Sequence, residues 1–151
     1  MIQSDIRSQL LMSNLEIIMP RRATPFIPNV YYHFYNRGNN RQAVFFEPDN
    51  YLYFLGGLKK YLIPVKIVAY SLMPTHYHIL VRVMPQTSEV LKTSEVSAQV
   101  SLAMQKFLIS YTKAINKRFQ RVGALFQGQF QAKPIKKYSH FLNLCIYMPI
   151  L

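Results

Sequence analysis

The sequence predicts an α+β domain: a ferredoxin-like β-α-β-β-α-β plait followed by a C-terminal helix. Three observations predict it. Aromatic and β-branched runs alternate with segments of helical period in the order strand, helix, strand, strand, helix, strand. The two middle strands are separated only by Pro74 and Thr75, which makes them a hairpin. The chain has 151 residues, half of them hydrophobic and 14% aromatic, enough for one core and too few for two comfortable domains. Such a plait is an antiparallel sheet with two helices on one face.

Taken in order, residues 1–18 differ in character from the rest of the chain and read as a loosely attached leader. Met19 opens "MPRRATPFIPNV", a basic, proline-rich lead-in, so the functional domain is expected over 19–151. "VYYHFYNRG" (30–38) is β-prone and ends in a turn signal. "EPDNYLYFLGGLKKYL" (47–62) begins with a capping-competent acidic cluster, and Tyr51, Phe54, Leu55, Leu58 and Leu62 recur at helical spacing. Gly56 and Gly57 either weaken that helix or let it pack closely. "VKIVAYSLM" (65–73) and "HYHILVRV" (76–83) are the hairpin strands. Residues 85–98 are polar, repeat "TSEV" once, and read as a loop. Residues 100–119 form the strongest helix, with Leu102, Met104, Phe107, Leu108, Tyr111 and Ile115 on one face and Lys106, Lys113, Lys117 and Arg118 on the other. "GALFQGQFQAKPI" (123–135) reads as a turn and a strand. "YSHFLNLCIYMPIL" (138–151) starts a helix that runs into Pro149.

Charge narrows the partners. Eighteen Lys and Arg against six Asp and Glu give a formal charge of +12, a field that attracts a polyanion, and nucleic acid is the usual one. No uninterrupted apolar stretch is long enough to span a membrane. The single cysteine, Cys145, allows no internal disulfide, and no signal peptide is recognisable, so a cytoplasmic protein is expected.

Two groups of residues could carry chemistry. His76 and His78, two apart on a strand, share a face. Two imidazoles on one face begin a metal site, but by spacing alone a solvated strand end or a structural role is the commoner explanation. The second group is basic and late: Lys113, Lys117, Arg118, Arg121, Lys133, Lys136 and Lys137, interleaved with Phe119, Phe126, Gln127, Gln129 and Phe130. That mixture suits single-stranded or irregular nucleic acid, whose bases stack and whose phosphates need cations. In "YNRGNNR", Arg37 and Arg41 flank Gly38, which would let the backbone approach a phosphate; an ordinary turn held by Asn36 explains the stretch equally well.

"VYYHFYNRGNNRQAVFF", "AYSLMPTHYHILV", "YTKAINKRFQRVGALFQGQFQAKPI" and "YSHFLNLCIYM", in that order and spacing, resemble the single-tyrosine HUH transposases, the family of insertion-sequence and REP-associated tyrosine transposases. The resemblance covers residues 19 to about 147. It implies binding of a DNA hairpin and cleavage of the adjoining single strand in DNA transposition. It implies a divalent metal, Mg or Mn, on His76 and His78. It implies a nucleophilic tyrosine on the last helix that leaves a 5′-phosphotyrosine link and a free 3′-hydroxyl, and a homodimer. Tyr147, after "FLNLCI", matches the nucleophile; Tyr138 at the helix entry is the runner-up and is expected rather to be a packing residue. Arg37, Arg41, Lys117, Arg118, Arg121, Gln127, Gln129 and Lys133 are the expected DNA contacts.

One departure stands out. Relatives carry a metal-binding amide four residues after the tyrosine, where this sequence has Leu151. The expectation is a domain truncated at its C-terminus that folds and binds DNA but holds metal poorly and cleaves slowly or not at all. A non-catalytic hairpin-binding protein is the alternative.

Overall fold

The computed structural model describes residues 25–85 and 93–147. The proposed leader and Leu151 lie outside them. Four strands, β1 (Tyr31–Arg37), β2 (Val65–Met73), β3 (His76–Val83) and β4 (Gln131–Pro134), form one sheet of order β2-β3-β1-β4. Every neighbouring pair is antiparallel. With α1 (Pro48–Tyr61) between β1 and β2, and α2 (Thr93–Arg118) between β3 and β4, this is the predicted plait. A further helix, α3 (Tyr138–Tyr147), follows β4.

Sheet pleating sorts the side chains. Tyr32, Phe34 and Asn36 of β1, and Tyr77, Ile79, Val81 and Val83 of β3, are buried on the helix side. They meet Phe54 and Leu58 of α1 and Met104, Phe107, Tyr111 and Ile115 of α2 in one core. Aromatic edges join the layers: Phe54 contacts Tyr77, Phe107 and Tyr111 with ring centroids 4.8–5.1 Å apart. The Tyr111 hydroxyl donates to the Val44 carbonyl at 2.7 Å, which satisfies a loop acceptor inside that core.

Helix α1 starts where Pro48 and its acidic flank predict. Asn50, buried, turns its Oδ1 back to accept from the N–H groups of Phe46 (2.8 Å) and Glu47 (3.1 Å). Gly57 is the close-packing glycine: a Cβ there would lie 2.4 Å from Phe107 Cε2, whereas one at Gly56 meets nothing within 4 Å.

The expected loop over 85–98 is corrected at its end. Helix α2 begins at Thr93, seven residues before the expected start at 100. The reason is periodicity: Val96 and Val100 extend the stripe of Met104, Phe107, Tyr111 and Ile115, and all six are buried. Residues 86–92 lie outside the described residues.

The last helix occupies the opposite face of the sheet. Phe141, Leu144 and Cys145 pack on Ala69 and Leu80, and Phe141 meets the Tyr31 ring edge-on at 5.2 Å. Tyr138, expected as a packing residue, is 75% exposed with its ring stacked on that of Phe141, centroids 6.4 Å apart. Among the described residues no helix is long and apolar enough to cross a membrane.

Candidate functional site

The face of the sheet away from α1 and α2 is laid out by strand register. Residues directly opposite one another share a face, so rows of side chains cross the sheet. Met73, His76 and Arg37 form one row, and Ser71, His78, Tyr35 and Gln131 the next. Ala69, Leu80, His33 and Lys133 form the third, and there α3 begins to cover the sheet. His76 and His78, half-buried, thus sit beyond the part of the sheet that the described residues of α3 cover, beside Arg37, with Lys133 one row away from His78. The Lys133 ammonium lies 5.5 Å from the centre of the Tyr35 ring.

The imidazoles are engaged on one nitrogen each. His76 Nδ1 lies 3.0 Å from Thr75 Oγ1, and His78 Nδ1 lies 2.9 Å from Nε2 of His33. The His76 and His78 rings stand perpendicular with centroids 5.2 Å apart. Burial pushes His33 down to about 4, with the charges of His78, His140 and Lys133 adding to it. Burial, then His76, also lowers His78. Both rings are therefore neutral near pH 7, the state in which imidazole accepts a hydrogen bond or ligates a metal.

These donors fit a divalent cation in part. With Nδ1 engaged, Nε2 of each of His76 and His78 is the nitrogen without a hydrogen-bond partner among the described residues, and it can ligate in the tautomer that leaves its lone pair free. Two imidazoles with the rest of the shell from water and phosphate oxygens is chemistry that Mn and, less well, Mg accept. Among the described residues no group of three or more His, Cys, Asp or Glu side chains comes together to hold a metal. Tyr147 is the last residue of α3. Its side chain, like Leu151, lies outside the described residues.

The remaining expected contacts gather at the corner where β1 ends. Gly38 bridges to Phe126, and the Gln127 N–H donates to the Arg37 carbonyl at 2.9 Å. The Arg37 guanidinium donates to Gln127 Oε1. Buried Asn36 donates to the Gly128 carbonyl at 3.1 Å and accepts from the Arg37 N–H at 2.8 Å, so the turn is held by Asn36. Gly38 does not offer its backbone to a phosphate. It is buried with an ordinary φ of −61°, and a Cβ there would fall 2.0 Å from the Gln42 carbonyl oxygen. The missing side chain makes room for the protein's own loop.

Arg37 and Gln127 are exposed and paired, and Gln129 and Arg41 are exposed nearby in sequence, Arg41 at φ 56°. Arg121 braces the corner, donating to Asn116 Oδ1 (2.6 Å) and Gln42 Oε1 (2.7 Å) over the Phe46 ring. Arg118 is exposed and ion-paired with Glu47, and Lys117 is exposed beside it. The structure thus makes two groups of the expected residues. His76, His78 and Lys133 share the open sheet face. Arg118, Arg121 and Gln127 belong to the loop corner, and Arg37 touches both.

Sequence reasoning missed His33. A lone histidine inside an aromatic run has no spacing partner, and the one it meets is 45 residues away. Alternation along β1 would have put it on the face of Tyr35 and Arg37, and only the β1–β3 register brings it to His78.

The sequence matches no family profile and no curated protein. Among solved structures, a REP-associated tyrosine transposase bound to a REP hairpin superposes with a TM-score of 0.61 at 16% identity, over 86% of this chain and 70% of that one. The two chains share a fold. A crystal structure from Deinococcus radiodurans R1 matches over 85% of this chain and 95% of that one at 12% identity. Its TM-score is 0.44, too loose for the likeness to bear on function.

Proposed function

We propose that this chain is a single-tyrosine HUH transposase that binds a DNA hairpin and cleaves and rejoins the adjoining single strand. The observation that carries the reading is the pair His76 and His78, side by side on one sheet face in register with Arg37, with burial disfavouring the charged form of His78, in a fold shared with a hairpin-bound REP-associated transposase. His76 and His78 would hold a divalent cation, Mg or Mn, through Nε2, and when bound it would supply charge stabilisation to the scissile phosphate. The rest falls to the chain's own residues. Arg37, Arg41, Lys117, Arg118, Arg121 and Lys133 attract and orient phosphates, while Gln127 and Gln129 offer hydrogen bonds to bases on the exposed rim. Arg118 must exchange Glu47 for phosphate to take part. Tyr147 is the nucleophile: its phenolic oxygen forms the bond to phosphorus, its proton is lost, and the 3′-oxygen of the preceding nucleotide leaves with the electron pair. The phosphotyrosine keeps the energy of the broken ester, so rejoining needs no nucleotide cofactor. The protein acts as a homodimer on cytoplasmic DNA, within the domain that begins at Met19.

A second reading is a hairpin binder without cleavage, because the Nδ1 of His78 is taken up by His33 and not by a ligand. One experiment separates them. A labelled hairpin with a single-stranded flank is titrated with protein over a range of salt, then incubated with Mn and run on a denaturing gel. The transposase reading expects binding that weakens steeply with salt, through release of phosphate counterions. It also expects a covalent adduct that Tyr147→Phe, His76→Ala and His78→Ala each abolish. Hairpin binding with no adduct would establish the second reading. Salt-independent binding, or no preference for hairpin over duplex, would sink both. An adduct that survives Tyr147→Phe would move the nucleophile elsewhere.

A further inference from the structure

We propose that His33 is a positioning residue for His78: its Nε2 accepts a hydrogen bond from Nδ1–H of His78 and so holds His78 in the tautomer whose Nε2 lone pair is free on the open face. The contact is 2.9 Å between Nε2 of His33 and Nδ1 of His78, with the two rings stacked at 5.0 Å and 25°. A neutral imidazole has one donor and one acceptor nitrogen. If His33 were the donor, His78 would carry its proton on Nε2 and could not ligate. If His78 is the donor, Nε2 is the free lone pair. The direction of the bond therefore rests on the reading of His78 as a metal ligand, whereas the contact itself does not.

The surroundings suit an acceptor held in place. His33 stands on the central strand of the sheet, with the Tyr35 ring 5.0 Å away on the same strand. Lys133 faces it directly from β4, and α3 packs next to it through Phe141 on Tyr31. A ring packed on several sides cannot swing away from its partner without disturbing its neighbours. His76 shows the same pattern from a different source, with Nδ1 against the Thr75 hydroxyl. Each histidine of the pair thus has its Nδ1 engaged by a side chain that is not a ligand. That arrangement fixes ring orientation and raises ligand basicity in metal sites, and losing such a partner typically costs about 10–100-fold in metal affinity.

The test reads the tautomer directly, in protein without metal. Ring nitrogen shifts of His78 are measured by NMR at neutral pH in the full chain, in His33→Leu and in His33→Gln, whose Oε1 places an acceptor near the Nε2 position. The expected result is Nδ1–H on His78 in the wild type, loss of that preference in His33→Leu and its retention in His33→Gln. Titration with Mn alone should show affinity falling about tenfold or more in His33→Leu and by less than about threefold in His33→Gln. A destabilised His33→Leu fold would lower both readouts through unfolding; the His33→Gln protein and the wild-type tautomer keep the test decisive. Nε2–H on His78 in the wild type, or an unchanged tautomer in His33→Leu, overturns the proposal. Nδ1–H in the wild type with no Mn binding leaves His33 in its positioning role and refutes the metal reading of the pair instead.

Discussion

Adjacent glycines in α1 should respond to the same substitution with opposite signs. Replacing a helix-interior glycine by alanine stabilises by roughly 0.5–1 kcal/mol, because the unfolded chain loses freedom. At Gly56 nothing opposes that gain, since the added Cβ meets no atom within 4 Å. At Gly57 it would sit 2.4 Å from Cε2 and 2.9 Å from Cδ2 of Phe107, against an ordinary carbon contact of about 3.5–4.0 Å. The ring has little room to retreat. Phe107 is 1% exposed and rests on Phe54 at 4.8 Å, with Tyr61 and Tyr111 behind it. Overpacking of this kind costs about 1–3 kcal/mol, so Gly57→Ala should end up destabilised by up to about 2 kcal/mol net while Gly56→Ala gains. Urea unfolding at equal m-value measures both through the midpoint. Phe107→Leu should relieve Gly57→Ala, so that the double variant is more stable than the two single losses added together. A Gly57→Ala protein as stable as Gly56→Ala, or strict additivity with Phe107→Leu, would refute the close approach of α1 and α2 at this point.

Two further outcomes concern buried polar groups. His33 titrates near 4 in the fold and near 6.5 when unfolded, so between those values the unfolded chain takes up a proton that the folded one refuses. Its contribution is complete above about pH 6.5 and is lost as pH falls through that window; with the partly exposed ring discounted for solvent, the loss is roughly 1–2 kcal/mol. Urea midpoints of the metal-free chain from about pH 7 to 4.5 should fall more steeply than those of His33→Gln, and parallel profiles would contradict the buried neutral ring. Tyr111→Phe leaves the Val44 carbonyl without its 2.7 Å donor in the core and should cost about 1–2 kcal/mol in thermal or urea unfolding, with no change in hairpin binding.

The plait was legible because its signals are local. Alternation in 76–83, the helical stripe of 100–119 and the two-residue turn at Pro74 each act within one or two elements, and together they leave few ways to pair four strands. The N-terminal extension of α2 was obscured because Thr93, Ser94 and Ser97 dilute the stripe that Val96 and Val100 continue. The site was legible only in part for the opposite reason. His76 and His78 announce themselves by spacing, but His33, the Asn36 latch and the Gly38–Phe126 bridge join residues 45 to 92 apart, and nothing short of strand register brings them together. Gly38 was misread because a glycine in a turn permits close approach without saying by what; here the approaching atom is the Gln42 carbonyl oxygen.

The long sequence separation of that latch sets an order of events during synthesis. The β2–β3 hairpin can form as soon as it leaves the ribosome, and it already carries both strand histidines. Asn36 cannot find its acceptor until Gly128 emerges, 92 residues later. At ordinary elongation speeds of about 5–20 residues per second, that is a wait of several seconds in which the polar rim of the site does not exist. Closing so long a loop is also what slows folding of chains dominated by distant pairings. The face bearing the histidines and the rim beside it are therefore completed by the last third of the polypeptide, and a nascent chain carries the imidazoles well before it has the finished surface for gripping a nucleic acid.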